Sequence, residues 1–303
     1  MYPGSPKTLR RTSLGSTLPI VNDANKLPVA LTIAGFDPSN GAGITADLQV
    51  FAAQGIFGTS AITALTVQST LGVAEIQPLN PAIFRHTLDH LTADLPPAGI
   101  KIGMLGAAAI ARELAGFLER LDEISPGNPH IPIILDPVIL SSSGATLLDP
   151  AGLEIIRAHL LPKVTWLTPN WQELALITGE PVTSQQEARH ALEILAQIHP
   201  HLHTIATAGD QTNPTDLLRT PSGDFHELPG NRVETTSTHG TGCAFSSALL
   251  SRLILGDPPL AAVTAAKSYV ENALRNAPNL GHGRGPMNLL WPLSKLKPLK
   301  THN

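Results

Sequence analysis

Apolar runs alternate with segments of helical spacing along most of the chain. Residues 28–34 form an apolar, β-rich run that ends before Gly35, and residues 44–54 follow with helical spacing. The predicted strands cover residues 28–34, 59–67, 73–76, 99–104, 132–135, 164–167 and 203–207. The predicted helices cover residues 44–54, 81–93, 107–121, 151–160, 184–198, 242–255 and 260–275. This alternation predicts βαβ units and a mostly parallel sheet covered by helices.

The last part of the sheet is predicted to be antiparallel. Residues 216–219, 225–228 and 232–234 are short segments separated by Pro-Ser-Gly and Pro-Gly turns. No segment has the composition of a linker between domains. We therefore expect one domain over residues 28–290, with a disordered tail over residues 1–27 and a C-terminal tail over residues 291–303.

Uncharged stretches do not indicate a membrane protein here. Residues 1–27 lack the continuous apolar core of a signal peptide. Residues 48–74 carry no charge, but Gln, Gly, Ser and Thr interrupt them, which favours a buried helix, turn and strand. We expect no membrane partner.

Composition narrows the class of partner. Charged residues make up 15% of the 303 residues and the net charge is −4, so no basic field for nucleic acid is evident and we expect a small-molecule partner. A single cysteine cannot form an internal disulfide, which fits a reducing compartment, and we expect a cytoplasmic protein. No Walker-type P-loop and no zinc-ligand spacing occur in the sequence.

A glycine-flanked threonine precedes one of the predicted helices. Gly240, Thr241 and Gly242 come directly before its apolar pattern, so backbone N–H groups can surround an anion at the helix start. Cys243 stands at the same place, where the ionised form of a thiol is favoured, and it is a candidate base or nucleophile. The alternative is an ordinary glycine-rich turn with a small buried cysteine.

A second glycine-rich loop, residues 35–43, joins the first strand to the first helix. Such a loop is a common ligand platform at the carboxyl edge of a parallel sheet, although it is also compatible with a flexible crossover turn. Gln68 ends an apolar strand, and its amide is suited either to an aminopyrimidine edge or to loop backbone. Asp47 lies one turn into the helix. Its carboxylate either accepts a hydrogen bond from the substrate or is a solvated side chain on the helix surface.

Polar side chains follow two further strands. Asp136 ends the strand over residues 132–135, where its carboxylate faces a ligand cleft or caps the following turn. Asn170 and Glu173 follow the strand over residues 164–167, and their spacing puts both on one side of a first helical turn. There they are able to hold hydrated Mg²⁺ near a polyphosphate, or to serve as an N-cap and an N3 glutamate.

Taken in order, these segments resemble the hydroxymethylpyrimidine/phosphomethylpyrimidine kinases of thiamine biosynthesis, in the ribokinase-like superfamily. The matching stretches are residues 30–70, 101–105 (KIGML), 135–138 (LDPV), 168–174 (TPNWQEL), 238–249 (THGTGCAFSSAL) and 281–288 (GHGRGPMN). The resemblance implies a ribokinase-like three-layer α/β/α fold with a mostly parallel central sheet and an antiparallel edge. It also implies ATP and Mg²⁺ as cofactors, and 4-amino-5-hydroxymethyl-2-methylpyrimidine and its monophosphate as substrates. We expect a homodimer.

The resemblance assigns roles residue by residue. The Mg·ATP region is matched by Asp136, Asn170 and Glu173. Of these, Asp136 and Glu173 are the expected metal ligands. Gly240, Thr241 and Gly242 match the anion hole, and Cys243 stands where most ribokinase-like enzymes place an aspartate base. The positions that match the substrate pocket are Gly35, Asp47, Gln68, Met104, Val138 and Cys243.

One departure from the family pattern concerns the phosphates. Thr207 stands where relatives have a phosphate-contacting lysine, and the tail has Gly281-His282-Gly283 where they have Gly-Lys-Gly. Lys267, Arg232 and Arg284 are the candidate substitutes. Two alternatives therefore stay open, namely a pyridoxal-type vitamin kinase and a non-catalytic pyrimidine-binding protein on the same fold.

Overall fold

The computed structural model describes residues 27–121, 131–141, 144–209, 211 and 214–293. The strands in these ranges form one sheet of nine strands in the order β3-β2-β1-β4-β5-β6-β7-β8-β9. They are β1 (Val29–Phe36), β2 (Phe57–Ser69), β3 (Gly72–Pro78), β4 (Gly99–Ile102), β5 (Ile133–Leu135), β6 (Trp166–Leu167), β7 (His203–Ala206), β8 (Thr215–Arg219) and β9 (Phe225–Pro229). The disordered tail predicted over residues 1–27 falls almost entirely outside the described residues.

Helices cover both faces of the sheet, which gives the predicted three layers. They are α1 (Gly43–Ala53), α2 (Pro81–Asp94), α3 (Ala108–Glu119), α4 (Pro150–Ile155), α5 (Trp171–Thr178), α6 (Gln185–Ile198), α7 (Thr241–Ile254) and α8 (Pro259–Arg275). One π-helical turn, Ile156–Leu160, continues α4, so the helix predicted over residues 151–160 changes its hydrogen-bonding pattern midway. No helix in the described ranges is both long and apolar enough to cross a membrane.

Alternate side chains of the central strands enter two cores. Leu31 and Ile33 of β1 pack with buried residues of α2, α3 and α4 on one face. Ala30 of β1 and Ile134 of β5 pack with α1, α7 and α8 on the other face. A sheet buried on both faces needs nearly continuous apolar strands, which is why the predicted runs were apolar throughout rather than alternating.

Antiparallel strands occur at both edges of the sheet. The pairs β7–β8 and β8–β9 are antiparallel, as predicted, and β3 pairs antiparallel with β2 at the opposite edge. The strand predicted over residues 232–234 is wrong, because these residues follow β9 without strand structure. Their only apolar side chain is Val233, so a further strand there would have had little to bury.

The carboxyl ends of the parallel strands meet at one edge. β1 pairs with β4, Ile102 of β4 lies beside Leu135 of β5, and Leu135 lies beside Leu167 of β6. The residues that directly follow these strands therefore share that edge. The predicted functional residues after β1, β4, β5 and β6 come together there because of this register.

Candidate active site

Helix α7 begins without a side-chain cap. Gly240 is its N-cap, with φ 78° and ψ 17°, and no side chain bonds the N–H groups of the first turn. By contrast, the side chains of Asn80 and Ser184 cap α2 and α6. The first-turn N–H groups of α7 are thus available to an anion, and the helix dipole favours negative charge at this end.

The two glycine-rich loops are in close backbone contact. A Cβ atom at Gly240 would lie 1.9 Å from the carbonyl oxygen of Gly41, and Gly240 also has a positive φ. Likewise, a Cβ at Gly43, where φ is 57°, would lie 2.2 Å from the carbonyl oxygen of Gly35. Only glycine fits at these two positions, so the predicted ligand loop and the predicted anion loop form one continuous backbone surface.

Three buried charged residues lie beneath this surface, and we call Asp47, Lys101 and Asp136 the buried charge cluster. Lys101 Nζ lies 3.1 and 3.0 Å from the two carboxylate oxygens of Asp47 and 3.9 Å from Asp136 Oδ2. Asp47 also accepts hydrogen bonds from the hydroxyls of Thr32 and Ser247. The solvated-helix interpretation of Asp47 is therefore wrong, because its side chain is 0% exposed.

Helix α7 is tied to the buried charge cluster by two consecutive serines. Ser246 Oγ donates to Asp136 Oδ2 at 3.0 Å, and Ser247 Oγ donates to Asp47 Oδ1 at 2.7 Å. A Cβ at Gly242 would lie 3.8 Å from Asp136 Oδ1, so this carboxylate lies close to the first turn of α7. Burial raises the pKa of Asp136, against the opposing effect of Lys101.

Cys243 lies on the first turn of α7 and is partly exposed. Desolvation by the surrounding protein raises its pKa to about 12, although Lys101 and the N–H of Gly43 act in the opposite direction. The expectation that a helix start favours the ionised thiol is therefore wrong for this structure. Desolvation, together with the carboxylates of Asp136 and Asp47, outweighs the helix terminus.

An apolar wall contains three of the predicted substrate-pocket residues. A Cβ at Gly35 would lie 2.5 Å from Met104 Cε, so Met104 packs directly on the backbone of Gly35. Met104 also belongs to a small apolar cluster with Ala64, Leu147 and the partly buried Val138. Gly35, Met104 and Val138 are thus brought to one surface next to the glycine-rich loop.

Asn170 and Glu173 form a capping box at the start of α5. Asn170 Oδ1 accepts from the N–H of Glu173, and Glu173 Oε2 accepts from the N–H of Asn170, both at 2.9 Å. The capping interpretation is therefore realised, and Glu173 is buried. The Mg·ATP role of this pair stays a prediction.

The position of the missing family lysine lies next to Asn170. Thr207 N donates to the Pro169 carbonyl at 2.9 Å, and Thr207 forms a parallel β-bridge with Asn170. The following residue, Ala208, donates its N–H to Asp216, which is paired with Lys267. Of the three candidate substitutes, Lys267 is connected to this turn through Asp216, whereas Arg232 pairs with exposed Glu234 and Arg284 is exposed in the tail.

Several residues of the site were not identified from the sequence. Lys101 is fully buried, and its only signal was a lysine inside the apolar stretch GIKIGM. Asp37 and His239 are also buried and hydrogen-bonded to each other. Their signal was that each lies in a loop already singled out for its glycines.

The chain matches a known protein family and its members over most of its length. The family described as "Phosphomethylpyrimidine kinase" matches residues 37–288. The hydroxymethylpyrimidine/phosphomethylpyrimidine kinase of Synechococcus elongatus is 39% identical over 270 residues, covering 88% of this chain and 99% of that protein.

Solved structures show the same fold. A pyridoxal kinase from Staphylococcus aureus in complex with ADP has a TM-score of 0.78 at 28% identity, covering 90% of this chain and 96% of that one. The phosphomethylpyrimidine kinase from Clostridium difficile has a TM-score of 0.70 at 33% identity, covering 82% and 99%. The family match spans most of the chain and includes residues 37–43 of the first glycine-rich loop and all of the second, and the chain therefore belongs to the phosphomethylpyrimidine kinase family.

Proposed function

We propose that this kinase uses ATP to phosphorylate 4-amino-5-hydroxymethyl-2-methylpyrimidine and then its monophosphate, as a step of thiamine biosynthesis. The observation that carries the proposal is the uncapped start of α7 held against the glycine-rich loop at Gly41. In this proposal the N–H groups of that helix start bind the phosphoryl anion, and Cys243 and the loop on the substrate side lie on the same surface. Phosphoryl transfer depends mainly on such positioning and charge stabilisation.

The substrate side combines one polar amide with an apolar wall. Gln68 is partly exposed at the end of β2, and its amide suits the amino and ring-nitrogen edge of a pyrimidine. Met104 and Val138 provide the apolar contact for the ring. Asp47 is fully buried and accepts hydrogen bonds from three side chains. In this proposal it therefore holds α7 and Lys101 in position and does not contact the substrate.

In the chemical step, the substrate hydroxymethyl oxygen attacks the γ-phosphorus of ATP. The bond from that phosphorus to the β–γ bridging oxygen breaks, and ADP leaves. The N–H groups of Gly242 and Cys243 face the transferred group from the start of α7, and we assign the hydroxyl proton to the Cys243 thiolate. Because burial raises the pKa of Cys243 to about 12, most of the thiol is protonated at neutral pH, and this step proceeds through the small ionised fraction, which Lys101 and the Gly43 N–H favour.

The nucleotide side fits ATP with a hydrated Mg²⁺. Asp136 and Glu173 follow neighbouring strands and offer the oxygen ligands that Mg²⁺ prefers. Within the described residues no group of three or more His, Cys, Asp or Glu side chains could hold a metal ion. Thr168 Oγ1, directly after β6, is buried and has no hydrogen-bond partner in the protein. It is therefore free to form a hydrogen bond with a polar group of a ligand. When bound, Mg²⁺ would neutralise phosphate charge.

The test is a set of parallel assays of ATP consumption. The pyrimidine alcohol, its monophosphate and pyridoxal are each offered with Mg·ATP. We expect turnover of both pyrimidines and little turnover of pyridoxal. Turnover of pyridoxal alone would refute the proposal, and calorimetric binding of the pyrimidine with no ATP consumption would favour a non-catalytic binding protein.

The homodimer is a separate part of the proposal. β2 and the turn after it expose three large apolar side chains, namely Leu65, Val67 and Leu71, next to the edge strand β3. An apolar surface beside an unpaired sheet edge suits a second copy of the chain. Sedimentation should show a dimer that Val67→Lys weakens, and a monomeric wild-type protein would contradict this.

A further inference from the structure

The side chain of His239 joins three segments of the site. Its Nε2 lies 2.7 Å from Asp37 Oδ2, in the first glycine-rich loop, and 3.0 Å from the amide nitrogen Nε2 of Gln68 at the end of β2. His239 itself directly precedes Gly240, the N-cap of α7. The proposed mechanism uses Gln68 and Gly240 but gives no role to the residue between them.

Asp37 is held as a pure hydrogen-bond acceptor. Its Oδ1 accepts from the N–H and hydroxyl of Ser39, and its Oδ2 accepts from the N–H of Ala42 at 2.9 Å. Burial alone would raise the pKa of Asp37, but the hydrogen bonds from His239 and Ser39 outweigh burial and hold it below its usual value. Facing an ionised carboxylate at 2.7 Å, His239 Nε2 must carry the proton and donate it to Asp37.

This proton decides which end of the Gln68 amide faces His239. With the amide nitrogen of Gln68 facing it, the Nε2–H group of His239 would meet a second donor. Because Nε2–H has no lone pair to offer, we assign the Gln68 amide turned by 180°, with its oxygen beside His239. The other neighbour, Thr66, lies 2.9 Å from the Phe36 carbonyl oxygen and 3.2 Å from Gln68 Oε1, and its single hydroxyl proton goes to the closer Phe36 carbonyl. Thr66 Oγ1 therefore offers lone pairs, and the amide nitrogen of Gln68 belongs on that side.

We propose that the Asp37–His239 pair is a specificity-determining positioning pair that fixes the donor and acceptor ends of Gln68. The inference rests on the proposed function, because Gln68 is the residue assigned to the pyrimidine edge. In the fixed orientation, one amide oxygen lone pair is left for a 4-amino group and one N–H is left for the neighbouring ring nitrogen. A 4-oxo pyrimidine presents the reverse pattern, an acceptor and a ring N–H, and is rejected.

The experiment reverses the polarity with a nearly isosteric change. In Asp37→Asn, the side-chain amide keeps its oxygen toward Ser39 and donates to His239 Nε2, which becomes an acceptor, while the Ala42 N–H loses its acceptor at Oδ2. Gln68 can then turn its amide nitrogen toward His239. We measure kcat/KM for the 4-amino alcohol and for its 4-oxo analogue, and expect the amino-to-oxo ratio to fall by about tenfold or more.

A second variant keeps the test decisive if Asp37→Asn disturbs its loop. His239→Phe keeps an aromatic ring against Gly41 but removes both ring nitrogens, so the Gln68 amide loses its fixed orientation and the same ratio should fall. His190→Gln, on the exposed face of α6, is the matched histidine control and should leave the ratio unchanged. A purely structural role would lower both rates together, and an unchanged ratio in folded His239→Phe overturns the proposal.

Failure of the proposed function would be visible separately. If the wild-type protein consumes no ATP with either pyrimidine, the same ratio is measured as dissociation constants by calorimetry. A preference for the amino compound that falls in His239→Phe supports the positioning pair even though the kinase assignment fails. Equal affinity of the wild-type protein for the two compounds overturns the pair.

Discussion

Lys101 Nζ lies 3.0 Å from Asp47 Oδ2, and neither side chain has any exposed surface. Burial would lower the pKa of Lys101, but Asp47, Cys243 and Asp136 outweigh burial and raise it, so the lysine stays charged. Removing one member of a buried ion pair leaves the other charge without compensation, which is far more costly than the net worth of the pair. Substitution within the buried charge cluster should therefore be strongly destabilising.

Lys101→Met should lower the free energy of unfolding by about 3–5 kcal/mol, because two buried carboxylates lose their cation. Urea unfolding followed by circular dichroism measures this. Arg120→Met is the matched control, since it breaks the exposed Arg120–Asp89 pair, which is equally short at 3.0 Å. We expect the control to cost less than about 1 kcal/mol. Equal losses in the two variants would contradict the importance of burial.

Gly240→Ala should remove most of the activity, since a Cβ would lie 1.9 Å from the Gly41 carbonyl oxygen and separate the two loops. Gly256→Ala provides the control, because Gly256 also has a positive φ of 92° but nothing lies within 4 Å of its added Cβ. The control should lose about 1–2 kcal/mol of stability from left-handed backbone strain alone, with kcat unchanged. Similar kcat values for the two alanine variants would argue against the loop contact.

Cys243 should react slowly with iodoacetamide at neutral pH, because its pKa is raised to about 12 and only the thiolate reacts. A raised pKa means that the thiolate forms later as pH rises. The alkylation rate should therefore still climb about tenfold per pH unit between pH 8 and pH 10, where an ordinary thiol levels off. Mass spectrometry follows the reaction without ambiguity, as the chain has one cysteine.

The same residue is tested in catalysis with Cys243→Ser. If the thiolate accepts the substrate proton, kcat should fall by about 10²–10⁴-fold on the alcohol. The fall should be much smaller on the monophosphate, whose attacking phosphate oxygen is already ionised near pH 7. A near-normal rate on the alcohol would eliminate Cys243 as the base. The N–H groups of α7 and the bound cation would then supply the main catalytic effect.

Glu173→Gln separates the metal role from the capping role. Glutamine at N3 still completes a capping box, so the loss of helix charge should cost about 0.3–1 kcal/mol. If Glu173 holds Mg²⁺, the Mg²⁺ concentration for half-maximal rate should rise about tenfold or more. Glu187→Gln changes the corresponding N3 residue of α6, which is capped by Ser184, and should not affect the Mg²⁺ requirement. An identical Mg²⁺ requirement in both variants would leave Glu173 as a cap only.

Thr207→Lys restores the family lysine beside Asn170. A cation at this turn should lower KM for ATP by about two- to fivefold, the range of one partly exposed charge pair. Gln186→Lys adds the same charge on the exposed surface of α6 and serves as the control. If neither variant changes KM, another group already supplies that charge, and Lys267→Met would then be expected to raise KM.

Much of the fold could be predicted because its signals are local. The apolar runs of β1 and β5 and the helical spacing of α2 and α6 needed no knowledge of distant residues. The strand predicted over residues 232–234 does not form. A turn signal alone does not supply the apolar side chains that a strand buries against the rest of the sheet. The antiparallel pairing of β3 with β2 was not predicted, since pairing direction depends on where the chain returns.

For the site, too, some features follow from the sequence alone and others depend on tertiary structure. The sequence by itself determined which residues stand at the ends of the parallel strands, and hence that Gly35, Asp136 and Asn170 lie at one sheet edge, because strand direction in βαβ units is set by connectivity. Gly240 comes after the antiparallel strand β9, and only the tertiary contact of its loop with Gly41 brings it there. The electrostatics were decided only by tertiary structure. Lys101 meets Asp47 across 54 residues of sequence, and Gln68 meets His239 across 171. The helix start alone would lower the pKa of Cys243. Burial by segments distant in the sequence raises the pKa instead, because desolvation depends on everything that is packed around the thiol.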